Sequence, residues 1–261
     1  MGSLMRSALT FPCRDETLVG TLDAADGTSG LLIVTGGRQT RTGPHRMMAM
    51  LASALASKGL PIFRFDRRGV GDSSGADPGF RHSAPDIAAA SAAFRRSCPH
   101  IRQLWGLGLC DGASAIVLHH ASASLDGLIL LNPWVIEAEA GSPPPAAIRA
   151  HYRKRLTTLA GWQKLLTRGF NLLAAIKGML RLFEKSDQTL ADDVMTSLAA
   201  FHGPVRILLA KRDATAQAFL SAYRPMPSHS IETLDSASHT FAAPADQAWL
   251  KARILDALQS T

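Results

Sequence analysis

Five short apolar runs recur along this chain of 261 residues: LLIVT (31–35), PIFRF (61–65), QLWGLGL (103–109), GLILL (127–131) and VRILLA (205–210). Each has the length and composition of a buried strand. Between them lie helical patterns, HRMMAMLASALASKG (45–59), APDIAAASAAFRRSC (84–98) and DGASAIVLHHASA (111–123), the first with Gly59 at a C-cap position. Strand–helix alternation of this kind admits few folds, and the economical one is a parallel sheet covered on both faces. The opening ALTFPCRDETLVGTLDAA reads as two strands around a turn, an antiparallel edge. HSIETL (229–234) and ADQAWLKARILDAL (245–258) add a last strand and a last helix. The expectation is an α/β fold of about eight mostly parallel strands with helices on both faces.

The alternation stops after LLNPWV (130–135). From 136 to 203 no strand pattern occurs, GSPPP (141–145) marks a turn, and Trp162, Leu165, Leu166, Leu173, Ile176, Leu180 and Phe183 keep one helical face apolar. This predicts a helical lid over residues 136–203, inserted after the sixth strand, between core segments 1–135 and 204–261. In open α/β sheets that places the lid over the strand ends where ligands bind.

Charge is concentrated in the same region. The net charge is +7, and residues 146–185 hold Arg149, Arg153, Lys154, Arg155, Lys164, Arg168, Lys177, Arg181 and Lys185 against Glu184. A solvated helix face is the plain reading. The sharper one is a dock for an acidic partner such as an acyl carrier protein, or for an anionic surface. No nucleic-acid-binding module accompanies the charge, so nucleic acid is not an expected partner. Three cysteines, Cys13, Cys98 and Cys110, form neither a disulfide framework nor a metal site, and no cofactor motif is present. No secretory signal pattern and no run of about 18 apolar residues occurs, so no transmembrane segment is expected. The compartment expected is a reducing cytoplasm, peripheral to the inner membrane at most.

Gly108-Leu109-Cys110-Asp111-Gly112 joins a strand pattern to a helix pattern. It has the G-x-S-x-G spacing of a nucleophile elbow, with cysteine in place of serine. A free cysteine is ordinarily a small buried hydrophobe, but a thiol at a helix N-terminus is placed where a thiolate is favoured. Such a nucleophile needs an acid after the next-to-last strand and a base after the last. Asp213 follows VRILLAKR, and His239 follows HSIETLDSAS. Both fall in the required order, whereas the other histidines lie in helices, connections or ahead of strands. An oxyanion needs preorganised N–H donors. Asp111 supplies one, and Gly37 or Arg38 in GGRQTRTGPHR supplies the other. Arg41, Arg46 and Trp134 are candidate substrate contacts. In FDRRGVGDSSG (65–75), Asp66 and Asp72 are expected to bind backbone donors within the turn, and Asp86 is expected to cap its helix.

Taken together, GGRQTRTGPHR, FRFDRRGVGDSSG, WGLGLCDGASA, LILLNPW, HYRKRL, RDATAQAF and SHTF resemble the exosortase A system-associated hydrolase 1 family over residues 7–258. That family accompanies bacterial exopolysaccharide and protein-sorting gene clusters. The resemblance implies an α/β-hydrolase fold with a cysteine elbow and carries the triad over as Cys110, Asp213 and His239. Arg38 departs from it, standing where the family has proline. The function expected is hydrolysis of a small-molecule carboxylic ester or thioester through an acyl-Cys110 intermediate. The same triad serves acyl transfer to an alcohol or amine, and a non-catalytic binding scaffold is the third reading.

Overall fold

The computed structural model describes residues 6–136 and 189–259. The predicted lid falls largely outside the described residues, as does the basic segment within it. The chain divides into two compact units, Met1–Val135 with Val194–Thr261, and Ile136–Asp193.

The first unit is built on an eight-stranded sheet: β1 (Arg6–Cys13), β2 (Glu16–Asp23), β3 (Ser29–Val34), β4 (Ile62–Phe65), β5 (Gln103–Leu109), β6 (Gly127–Leu131), β7 (Val205–Ala210) and β8 (His229–Leu234). Their order is β1-β2-β4-β3-β5-β6-β7-β8. The β1–β2 and β2–β4 pairings are antiparallel, and the rest are parallel. The two-stranded edge and all six later strands are those expected from the sequence. Burial explains their legibility. Every residue of β4 and β6 is buried, because parallel strands are covered on both faces, whereas β1 is exposed along much of its length at the edge.

Among the described residues the α-helices are α1 (Met47–Ala56), α2 (Ala84–Ser97), α3 (Asp111–Ala123), α4 (Leu190–Ala199), α5 (Ala214–Ala222) and α6 (Pro244–Gln259). Helix α1 begins later than the pattern from residue 45 predicts, because His45 and Arg46 adopt φ of 49° and 62°. Both values lie in the left-handed region, which cannot continue a right-handed helix. Helix α5 has no counterpart among the sequence expectations. Asp86 corrects another expectation. Its carboxylate does not cap α2 but binds the Arg68 guanidinium and the Arg68 N–H, at 2.8 Å in each case. Asp86 is fully buried, and an unpaired buried carboxylate is far costlier than an uncapped helix end.

The sheet and α3 meet at backbone contact distance. A Cβ on Gly108 would stand 2.5 Å from the backbone N and Cα of Ala113, and one on Gly112 would stand 2.5 Å from the Val34 carbonyl. Neither neighbour is a flexible side chain, so the contact cannot yield locally. Replacing Gly112 by Ala is expected to lower stability by about 1–3 kcal/mol through overpacking. Urea unfolding checks this, with a matched Ala115→Gly variant reporting the ordinary effect of a helix glycine.

Candidate active site

Parallel strands bring their carboxyl ends to one rim, and the loops leaving them carry the site. β5 ends at Leu109, and Cys110 follows as the N-cap of α3 with φ 60° and ψ −128°. This is a strained conformation for a residue with a side chain. It is held from both sides. The Cys110 N–H donates to the Leu131 carbonyl at 3.0 Å, and the Cys110 carbonyl accepts from Ala113 at 3.0 Å and Trp134 at 3.2 Å. The turn thus presents the sulfur beside the N-terminus of α3.

β7 leads to Asp213, which caps α5 by accepting the Ala216 N–H at 3.1 Å. The same oxygen, Oδ2, accepts from His239 Nδ1 at 3.1 Å. Burial opposes charge on Asp213. The hydrogen bond from His239 and those from the Ala216 and Thr215 N–H groups outweigh it, holding the carboxyl below its usual range. His239 is pushed up to about 10, first by its hydrogen bond to Asp213 and then by its hydrogen bond with Cys110. His119, His120 and His229 go the other way, pushed down chiefly by burial. The imidazole at 239 is thus set apart by its two partners. The three residues expected as nucleophile, acid and base are brought together.

A cavity of about 370 Å³ is lined by Cys110, Asp111 and His239 together with Gly36, Gly37, Gln39, Leu109 and Trp134. Trp134 therefore stands where a substrate contact was expected. Of the two alternative loop donors, Gly37 is in the wall. Its N–H donates to the Asp111 side chain, Oδ1, at 2.5 Å. Arg38 is outside the wall, exposed, with its guanidinium 3.5 Å from the Gly69 carbonyl.

Arg41 and Arg46, expected as substrate contacts, are not among the residues of the cavity wall. The Arg41 guanidinium binds the Asp66 carboxylate and lies 2.9 Å from that of Asp72. Asp66 is fully buried and requires a countercharge, which Arg41 supplies. Arg46 is exposed at the start of α1, its backbone spent on the turn into that helix. In the FDRRGVGDSSG segment Asp66 binds backbone donors as expected, whereas the Asp72 carboxylate pairs with the Arg41 guanidinium instead. Asp66 accepts the Asp72 N–H at 3.1 Å and the Arg41 N–H at 2.5 Å. Its less visible role is support of the loop after β3: the Arg67 guanidinium binds the Gly37 carbonyl, and Arg64 donates to the Arg41 carbonyl at 2.8 Å.

Asn132 escaped the sequence reading. It is fully buried, with φ 42°. Its amide nitrogen donates to the His239 carbonyl at 2.8 Å, and its amide oxygen accepts from the Ala210 N–H at 2.8 Å. One side chain therefore ties the loop of His239 to the strand end that leads to Asp213. The only sequence signal was an asparagine at the end of LILLN. Further along, Phe241 is buried and stacks against Trp249, anchoring the same loop.

The comparisons agree on the fold. An esterase of Pyrococcus furiosus superposes with a TM-score of 0.67 at 16% identity, over 99% of this chain and 91% of that one. The α/β-hydrolase GrgF of a Penicillium species gives 0.63 at 16%, over 99% and 100%. Dienelactone hydrolase of Anabaena variabilis gives 0.60 at 14%, over 97% and 96%. No family description and no curated protein matches the sequence. The chain has the α/β-hydrolase fold.

Two outcomes follow from this geometry. His239 binds its proton more tightly folded than unfolded, so it stabilises the fold fully below the free imidazole value near 6.5, and that contribution is lost as pH rises through about 10. In an NMR titration, wild-type His239 is expected to stay protonated through pH 8. Asp213→Asn and, to a lesser degree, Cys110→Ala are expected to move its titration to lower pH. Separately, Asn132→Ala leaves the Ala210 N–H without its acceptor and is expected to cost about 1–3 kcal/mol in urea unfolding.

Proposed function

We propose that this protein is a cysteine-nucleophile hydrolase of carboxylic esters or thioesters, working through an acyl-Cys110 intermediate. The observation that carries the reading is the Asp213–His239 pair set beside a cysteine at the apex of a strained strand-to-helix turn. The resemblance of its motifs to the exosortase A system-associated hydrolase 1 family supports a cysteine in this place. The esterase and hydrolase structures that share the fold support the reaction class.

The Cys110 thiolate attacks the carbonyl carbon, and the carbonyl π electrons move onto oxygen. The Asp111 N–H, in the first turn of α3 where donors have no helical partner, and the Gly37 N–H hold that oxyanion. As the carbonyl re-forms, the alkoxide or thiolate leaves with the proton of the His239 imidazolium, and a thioester to Cys110 remains. Neutral His239 then takes a proton from water. The resulting attack releases the carboxylic acid and restores the Cys110 thiolate and the imidazolium. Asp213 keeps Nδ1 of His239 protonated, so Nε2 is the nitrogen that exchanges the proton.

Intact-mass spectrometry against a panel of acyl esters and acyl thioesters tests this. The expected result is an acyl adduct on Cys110 that clears to free acid, with Cys110→Ala forming none and losing at least about a thousandfold in turnover. An adduct that clears only when an alcohol or amine is added assigns the chain to acyl transfer. Absence of any adduct, with Cys110→Ala behaving as wild type, overturns both and leaves a binding scaffold.

A further inference from the structure

We propose that Asp111 sets the charge selectivity of this cavity, favouring ligands with a cationic group beside the reacting carbonyl and disfavouring those with a carboxylate there. The inference deepens the hydrolase reading and, for its acyl substrates, rests on it.

The ionisable groups in the wall are Cys110, His239 and Asp111. Moving the proton between Cys110 and His239 leaves the net charge of that pair unchanged. Asp111 is the one carboxylate among the residues of the wall. The arginines of the neighbouring loop do not offset it: Arg41 is engaged by Asp66 and Asp72, while Arg38 and Arg46 lie outside the wall. Arg67 binds the Gly37 carbonyl from outside the wall, and its charge is the same whether residue 111 is Asp or Asn, so that substitution isolates the carboxylate.

The position of the carboxylate makes its charge matter. Its Oδ1 accepts the Gly37 N–H at 2.5 Å. The loop is shaped to admit it, since a Cβ on Gly36 would stand 2.4 Å from that same oxygen. Gly37 N–H is also the donor the oxyanion requires. Two negative oxygens cannot share one N–H without strong repulsion, so the carboxylate must turn away before a tetrahedral intermediate is stabilised. An ammonium or guanidinium on the acyl group draws the carboxylate to itself and frees the donor. A neutral acyl group offers no such exchange. A carboxylated one adds a second negative charge at the same place.

The test has two arms, run on wild type, Asp111→Asn and Asp111→Glu at low ionic strength. In the first, Cys110 is modified by a trimethylammonium-ethyl, a neutral methyl and a sulfonatoethyl methanethiosulfonate, each rate divided by that reagent's rate with a free small thiol. The cation-to-anion ratio in wild type is expected to exceed that in Asp111→Asn by about tenfold, to be largely restored in Asp111→Glu, and to shrink with added salt. The neutral reagent reports whether each variant keeps an accessible thiol. In the second arm, 3-aminopropionyl, butanoyl and succinyl thioesters of N-acetylcysteamine are compared by kcat/KM. The expected order is cationic, neutral, anionic in wild type, collapsing in Asp111→Asn. A reagent ratio equal in wild type and Asp111→Asn overturns the proposal. So does a thioester order that Asp111→Asn leaves unchanged. If the ratio responds to Asp111 while no thioester acylates Cys110, the selectivity assignment stands and the hydrolase reading falls.

Discussion

The site depends on one backbone contact, the approach of the α3 N-terminus to the end of β3 and to the strand that precedes it. Cys110 can occupy its positive-φ apex only because strand, helix and neighbouring loop fix it at once through Leu131, Ala113 and Trp134. A single strained residue costs roughly 1–3 kcal/mol and persists where its surroundings over-determine it. Gly108 and Gly112 are the means. A side chain at either would push α3 off the sheet, release the apex and carry the sulfur away from His239. The chemistry of the thiol and the packing of the core therefore share one constraint.

A second layer of support is ionic. Arg64 is 2% exposed and pairs with Asp23 at 3.1 Å, while Arg41, Asp66 and Arg67 tie the loop after β3 to the turn after β4. Burying charges is expensive, and such pairs add little net stability over apolar packing. What they provide here is direction. A glycine-containing loop has little intrinsic preference for one path, and the guanidinium bonds to the Gly37 and Arg41 carbonyls choose one for it. This is why Arg41, which looks available for a substrate in the sequence, is consumed within the fold.

The parts legible in the sequence were those governed by local pattern or by chain order. β6 could be read from GLILL because both its faces are buried. The elbow could be read because its glycines lie two residues either side of Cys110. Asp213 and His239 could be placed because topology dictates which strands they follow. Contacts between distant segments were not legible. Asp86 resembles a helix cap until Arg68, 18 residues earlier, is seen against it. Asn132 meets the His239 carbonyl across 107 residues, and Asp111 meets Gly37 across 74. Helix α5 is short, and its start is marked by Asp213, a residue whose apparent role was catalytic alone.

That overlap at Asp213 has a consequence for the proton inventory. Oδ2 caps α5 through Ala216 and accepts from His239 as well, so the positive end of the α5 dipole and the imidazole bear on the same oxygen. Both favour the charged carboxylate, and together they outweigh its burial. A carboxylate that stays ionised accepts a hydrogen bond and donates none, which requires the proton on Nδ1 of His239 and leaves Nε2 as the nitrogen for Cys110. The cap that starts a nine-residue helix therefore also decides which nitrogen serves Cys110. Moving the acid off this N-cap would keep its charge but remove the α5 donors that help to hold it ionised.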